Sequence, residues 1–211
     1  MKTTEQLSNN EGIICGKIET DFEYSHEVFG EIFYRTRVIV TRDSGTEDFV
    51  PIIVSNLLTG KRKLEGKWVK AKGQFRSHRR LGEDGRKHLD LFLFVKEIDI
   101  YDDEYEQITD ENSIYLEGYI CKKPNYRQTA LGREITDVLI AVDRQYYKSD
   151  YIPCIVWGSL AKWVSEFEVG TKIQIHGRIQ SRKYLKRISE EEGEYRDAYE
   201  ISVQKLKKVQ E

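Results

Sequence analysis

The chain of 211 residues is long enough for one large domain or two small ones. A formal net charge of −2, with 33% charged residues, excludes a uniformly basic protein, so any nucleic-acid site must be a local patch. No stretch approaches the roughly 18 apolar residues of a membrane span, and the N-terminal MKTTEQLSNN lacks the apolar core of a signal peptide.

The chain contains an internal repeat at a shift of 102 residues, which becomes 104 and then 108 towards its end. The aligned pairs share residue types: Gly16 with Gly118, Pro51 with Pro153, Gly73 with Gly177, and Val95 with Val203. We therefore predict two copies of one domain, at residues 10–102 and 111–209, joined by an acidic linker at residues 103–110.

In the first copy, the second strand is predicted over IFYRTRVIV. Its alternation places Phe33, Arg35 and Arg37 on the outer face. The segment LLTGKRKLEG stands where the second copy has a helix. Because it is shorter and more basic, we expect only a single helical turn there.

The second copy reads as three strands, one helix and two further strands. SIYLEGYI and EITDVLIAV form strands one and two, with Gly118 at a bulge or sharp coil. Strand three, YIPCIVW, places Tyr151 and Trp157 on one face and the apolar residues between them on alternate faces.

The helix that follows is predicted to be capped by Ser159 and stopped by Gly170. Strand four is TKIQIHGRIQS, a long charged loop covers residues 182–196, and strand five is AYEISVQKL. This order, with a glycine inside strands one and four, predicts an all-β fold. We expect two tandem OB-fold five-stranded Greek-key barrels, each with one short helix.

From Asn112 onwards, the second copy resembles the bacterial single-stranded DNA-binding protein family. The resemblance is carried by several segments in a fixed order: Gly118, a proline-x-x-arginine loop through Pro124 and Arg127, IAVDR at 140–144, VWGSLAKWV and VGTKIQIHGRIQSRKY. It implies sequence-independent binding of single-stranded DNA in replication, recombination or repair, with bases stacked on aromatic rings.

The resemblance assigns the stacking positions of the second copy to Tyr146 or Tyr147, Tyr151, Trp157 and Tyr184. Basic residues close to these rings are candidates for phosphate contacts. They are Lys122, Lys123, Arg127, Arg144, Arg178, Arg182, Lys183, Lys186 and Arg187.

The first copy departs from the family pattern. Ser55 stands at the position of Trp157, and only Phe49 remains opposite Tyr151. Its further candidates are Phe33 for stacking and, for phosphates, Arg35, Arg37, Arg79 and Arg80. Either this copy binds the strand mainly by charge, or it is a scaffold that pairs with the second copy or with another chain. The sequence favours an asymmetric protein whose second copy is the main binder.

Family members often assemble so that four barrels bind DNA, which implies a homodimer for a chain with two. The chain stops at KLKKVQE, so we expect binding without the acidic recruitment tail of many members, and a mobile-element or phage role is one hypothesis.

Three cysteines without metal-ligand spacing indicate core thiols in a reducing cytoplasm.

Other functions were weighed against this one. The four histidines form no metal pattern, and no GxSxG or HExxH motif occurs, so we expect no enzyme, no metal site and no cofactor. An OB-fold RNA-binding protein and a primosome-type adaptor remain alternatives, because stacking grooves do not strongly separate DNA from RNA.

The asymmetry predicts that Trp157→Ala weakens the binding of a dT oligonucleotide more than Phe49→Ala does. Each lost stacking contact is expected to cost about 1–3 kcal/mol. Titrating each variant with a fluorescent oligonucleotide checks this, and equal losses would contradict the asymmetry.

Overall fold

The computed structural model describes residues 9–60, 62–82, 85, 87–101, 108–187 and 193–210. Within these ranges the chain forms β-strands with two short helices and one turn of 3-10 helix. No helix in this part of the chain is long and apolar enough to cross a membrane. Most of the predicted linker, residues 103–107, lies outside the described residues.

The first half of the chain closes into one barrel. Strand β1 pairs with β5 on one side and with β3 on the other, and β4 runs parallel to β6. The ring β1–β3–β4–β6–β5 is the strand order of an OB-fold barrel. Its elements are β1 Asn10–Ile18, β2 Glu23–Val28, β3 Glu31–Thr41, β4 Glu47–Ser55, α1 Asn56–Thr59, β5 Trp68–Leu81 and β6 Lys87–Tyr101.

The second half repeats this ring as β7–β9–β10–β12–β11, with β10 parallel to β12. Its elements are β7 Glu111–Ile120, β8 Asn125–Gln128, β9 Glu134–Arg144, a 3-10 turn at Gln145–Tyr147, β10 Lys148–Trp157, α2 Ser159–Ser165, β11 Lys172–Arg187 and β12 Gly193–Lys208. The predicted all-β fold of two OB-fold barrels is confirmed.

Glycines allow the barrel strands to cross closely. A Cβ atom on Gly118 would lie 2.4 Å from the carbonyl oxygen of Ala141, and one on Gly177 would lie 2.3 Å from that of Ser202. The pairing of β11 with β12 also shifts register between His176 and Gly177. The sharp coil or bulge predicted at these glycines therefore follows from backbone contact across the barrel.

Strand β10 separates the core from the outer face. Ile152, Cys154 and Val156 are buried inside the barrel, whereas Tyr151 and Trp157 are half-buried on the other side. The predicted alternation of this strand is thus present. The three cysteines are free thiols, and burial raises the pKa of each of them, so they stay protonated at neutral pH.

Three local predictions were wrong. The helix cap is Gly158, not Ser159, and it makes no side-chain cap hydrogen bond. Helix α2 ends at Ser165, well before Gly170. The segment 182–196 was predicted as a loop, but it extends β11 to Arg187 and begins β12 at Gly193. Cross-strand pairing continues along these charged ends of the two strands, and we call the paired strands the β11–β12 ribbon.

The two barrels share one sheet. Strand β1 pairs antiparallel with β7, from Asn10 opposite Leu116 to Cys15 opposite Glu111. This pairing connects all twelve strands into one continuous sheet. The outer faces of the two barrels are therefore held in a fixed relation by main-chain hydrogen bonds.

Two reciprocal contacts, which we call the seams, reinforce this arrangement. In the first seam, Asp150 of β10 accepts hydrogen bonds from the main-chain N–H (2.8 Å) and the hydroxyl (3.3 Å) of Ser77 on β5. In the second, Asp48 of β4 accepts from the N–H of Ser181 on β11 at 2.9 Å. Both aspartates are 0% exposed. Each barrel thus supplies one buried carboxylate to the other.

The second seam yields a stability prediction. Asp48→Asn removes the charge that holds Arg42 through two contacts of 2.6 and 2.7 Å, and we expect a loss of about 2–4 kcal/mol in unfolding free energy. Urea denaturation measures it. The control is Asp137→Asn, whose exposed pair with Arg127 should contribute about 0–1 kcal/mol. Equal losses in both variants would contradict the role of the seam.

Candidate nucleic-acid interface

Trp157 stands at the end of β10, beside the β8–β9 hairpin. It is half-buried and forms one wall of an open cavity of about 650 Å³. The other walls come from Gln128, Gly132, Arg133, Glu134 and Gly158. A planar indole at the edge of an open, partly polar cavity has the geometry that base stacking needs.

Tyr146 and Tyr147 project from the 3-10 turn between β9 and β10. Tyr146 is 85% exposed and Tyr147 is fully exposed. Both have left-handed backbone angles, with φ of 63° and 55°, which bulky residues rarely adopt. Such strain is often found where a structure holds side chains for binding.

Tyr151, at the start of β10, has a cation over its ring. The guanidinium carbon of Arg79 lies 4.5 Å from the ring centroid, and Arg79 belongs to the first barrel. The main-chain N–H of Tyr151 donates to the Ser77 hydroxyl at 2.9 Å. The face of Tyr151 that points away from the core is therefore covered from across the first seam, and a base would have to displace Arg79 or stack on it.

Two other predicted rings also carry cations. Tyr184, on the β11–β12 ribbon, is 39% exposed and has Arg182 at 5.9 Å from its centroid. Phe49, on β4, has Arg37 at 5.6 Å. The ribbon brings Tyr184 to the side of the second barrel, whereas Phe49 lies in the second seam, where its N–H donates to Ser181 at 2.9 Å.

Phe33 differs from the other predicted rings because it is only 8% exposed. His26 is stacked on it, with the ring centroids 4.8 Å apart, and Phe94 packs beside it at 5.5 Å. Phe33 does lie on the outer side of β3, as its alternation predicted, but in this structure its ring presents no free face to a base.

The predicted cations differ in whether they contact a carboxylate. Six arginines contact carboxylates: Arg35 with Glu23, Arg37 with Glu19 and Asp197, Arg80 with Asp90, Arg127 with Asp137, Arg144 with Asp150, and Arg182 with Glu200. By contrast, Lys122, Lys123 and Lys183 are exposed and make no such contact with any residue that the structure describes. The side chains of Lys186 and Arg187 lie outside the described part of the chain.

Arg178 is half-buried beside the second seam. Burial, and then the nearby positive charge of Arg42, lower the pKa of its guanidinium, although Asp48 opposes them. Its Nε atom is buried without a hydrogen-bond partner among the described atoms, and its terminal nitrogen donates to Gln180 at 3.3 Å. Arg178 is therefore only partly accessible from solvent.

Sequence reasoning missed a row of planar groups on the first barrel. The row begins with His26 on β2 and continues through Phe33 on β3 and Phe94 on β6. It ends with Arg76 on β5, whose guanidinium lies 4.5 Å from the Phe94 centroid. The alternation of QFRSHRR and LFLFV marks Arg76 and Phe94 as outward-facing, but β2 was not predicted as a strand. Nothing in the local pattern therefore indicated that His26 would cover Phe33.

The described residues contain no group of three or more His, Cys, Asp or Glu side chains placed to hold a metal ion. The predicted site residues instead carry guanidinium, ammonium and aromatic groups. Those groups recognise phosphates and planar rings.

Comparison with known proteins finds relatives of the second barrel. The model of the single-strand binding protein family matches residues 111–209. The single-stranded DNA-binding protein of Enterococcus faecalis is 31% identical over 80 residues, which cover 35% of this chain and 43% of that protein. Single-stranded DNA-binding protein B of Bacillus subtilis is 30% identical over 80 residues, which cover 35% of this chain and 71% of that protein. The chain thus spans less than half the length of the first relative.

A solved structure extends the likeness to both barrels. A deletion variant of the single-stranded DNA binding protein from Thermus aquaticus superimposes with a TM-score of 0.75 over 96% of this chain and 95% of that one, at 17% identity. This shows that the fold is shared along the whole chain. The relative from Bacillus subtilis, 30% identical over 71% of its length, shows that the chain belongs to the single-strand binding protein family, as the resemblance in its second half predicted.

Proposed function

We propose that the protein binds single-stranded DNA without sequence preference, mainly through its second barrel. The observation that carries this proposal is the set of accessible rings on that barrel: the half-buried Trp157 at its cavity and the projecting Tyr146 and Tyr147. Stacking contributes about 1–3 kcal/mol per base and tolerates any base, because every base has a planar face.

The phosphate contacts in this proposal come first from cations that no described carboxylate neutralises. Lys122 and Lys123 follow β7, and Lys183 lies on the β11–β12 ribbon beside Tyr184. The paired arginines of the second barrel, Arg127 and Arg182, can join them by exchanging a carboxylate for a phosphate, because their surface pairs are weak. These contacts track the backbone, and the rings hold the bases.

The two barrels have unequal roles in this proposal, with domain limits at 10–102 and 111–209. The first barrel offers Phe49 and Phe33, whose rings are covered by Arg37 and His26. Its predicted cations Arg35, Arg37 and Arg80 are already paired. Its contribution is therefore smaller than that of the second barrel.

The wider setting follows from family membership by analogy. We infer that the protein acts in replication, recombination or repair in the cytoplasm and has neither a catalytic activity nor a cofactor. A homodimer would assemble four barrels around the strand. Size-exclusion chromatography with light scattering tests the oligomer independently of DNA binding.

Fluorescence titration tests the proposed function. Poly(dT) should quench the intrinsic tryptophan fluorescence strongly at low salt, and Trp157→Ala should remove most of the quenching. If about five phosphates are neutralised, the logarithm of the binding constant should fall with log salt at a slope of about −3.5. Absence of both quenching and binding at low salt would overturn the proposal.

The covered and uncovered rings should differ in their energetic contributions. Trp157→Ala should weaken binding of a dT oligonucleotide more than Tyr151→Ala, because a base on Tyr151 must first displace Arg79, at a cost of about 0.5–1 kcal/mol. Fluorescence anisotropy gives both dissociation constants. Trp163→Phe, on helix α2, is the aromatic control and should leave binding unchanged. A larger loss for Tyr151→Ala would contradict this ranking.

A further inference from the structure

A cavity of about 780 Å³ lies over the outer face of the first barrel, where it meets the second. Four arginines line it, but only two aspartates do. The arginines are Arg35, Arg76, Arg80 and Arg144, and the aspartates are Asp90 and Asp197. Of these arginines, Arg144 alone comes from the second barrel. The cavity is therefore a composite of both domains with an excess of positive charge.

Most of the charges in this cavity are already balanced. Arg35 pairs with Glu23 at 2.9 Å and Arg80 with Asp90 at 2.6 Å. Asp197 is in contact with Arg37 at 3.0 Å. Arg76 contacts no described carboxylate, and Arg144 is paired only through one long contact of 3.4 Å to Asp150.

Arg76 and Arg144 are held close to each other at the first seam. Burial, and then the positive charge of Arg144, lower the pKa of the Arg76 guanidinium, and Asp150 only partly opposes them. Arg76 donates to the neutral Gln74 at 2.7 Å, and its Nε atom has no partner among the described atoms. Its plane is fixed over Phe94. Two cations facing one cavity favour an anion between them.

Asp150 does not neutralise this pair in the way that Asp48 neutralises its arginine. Arg144 reaches Asp150 through a single contact of 3.4 Å, whereas Arg42 is held by both oxygens of Asp48 at 2.6 and 2.7 Å. Asp150 is 0% exposed and is not among the residues that line the cavity. Arg144 thus keeps N–H donors free to turn towards the cavity. Of the two seams, only the first has an arginine that its aspartate holds through a single contact.

Resting on the proposed function, we propose that Arg76 and Arg144 together bind one phosphate of the single strand where it crosses from one barrel to the other. The guanidinium forks of the two arginines match phosphate oxygens, and each comes from a different domain. The first barrel then contributes Arg76 directly to the binding site, although Arg76 lies outside the motifs that resemble the family. DNA binding at this point also strengthens the contact between the barrels.

The experiment compares four full-length variants with a dT oligonucleotide over a salt series. The double variant Arg76→Gln/Arg144→Gln should reduce the salt slope by about 0.7, which corresponds to roughly 5-fold weaker binding at 0.1 M salt relative to 1 M. Each single variant should lose no more than this, because the remaining guanidinium still contacts the shared phosphate. Lys63→Gln removes an exposed cation that does not line the cavity and should leave the slope unchanged.

Each outcome bears on the proposal. An unchanged slope in the double variant would overturn it, and a double variant with a slope loss of about 1.4 would show two separate phosphates instead of a shared one. If circular dichroism shows that Arg76→Gln is unfolded, Arg76→Lys replaces it and should recover the slope but not the full affinity. Absence of binding by wild type and Lys63→Gln would refute the proposed function itself.

Discussion

The pairing of β1 with β7 is the constraint on which the rest of the molecule depends. It places the two barrels in one sheet, so that neither can rotate without breaking main-chain hydrogen bonds. The buried carboxylates Asp48 and Asp150 then fix how the barrels face each other, because each would be costly to leave without its partners from the other domain. The position of the proposed binding surface of the second barrel relative to the first barrel is consequently fixed by these contacts.

This arrangement explains why aromatic count alone is a poor guide to the site. Arg79 of the first barrel covers Tyr151 of the second, and Arg144 of the second barrel faces the cavity of the first. The rings that stay open are Trp157, at the end of β10, and the tyrosines of the 3-10 turn that follows Arg144. Bases and phosphates are therefore proposed to bind at different places along one path.

Much of the fold could be predicted because it depends on local sequence patterns. The repeat indicates two barrels, and the alternation of β10 separates Ile152 from Tyr151. The cores of β11 and β12 were predicted, but their extension into the segment 182–196 and the edge strands β2 and β8 could not be, since these polar sequences resemble loops and are ordered by cross-strand pairing. The covering of Phe33 and Tyr151, and the pairing of most arginines, depend on contacts between distant segments that no periodicity reveals.

Photocrosslinking tests the central claim most directly. A dT oligonucleotide carrying 5-iodouracil is irradiated in complex with the full chain, and the crosslinked peptides are identified by mass spectrometry. Stacking on the second barrel predicts crosslinks at Trp157 and at Tyr146 or Tyr147, because these rings are open to a base. Crosslinks confined to helix α2 or to the β2–β3 hairpin would contradict the account.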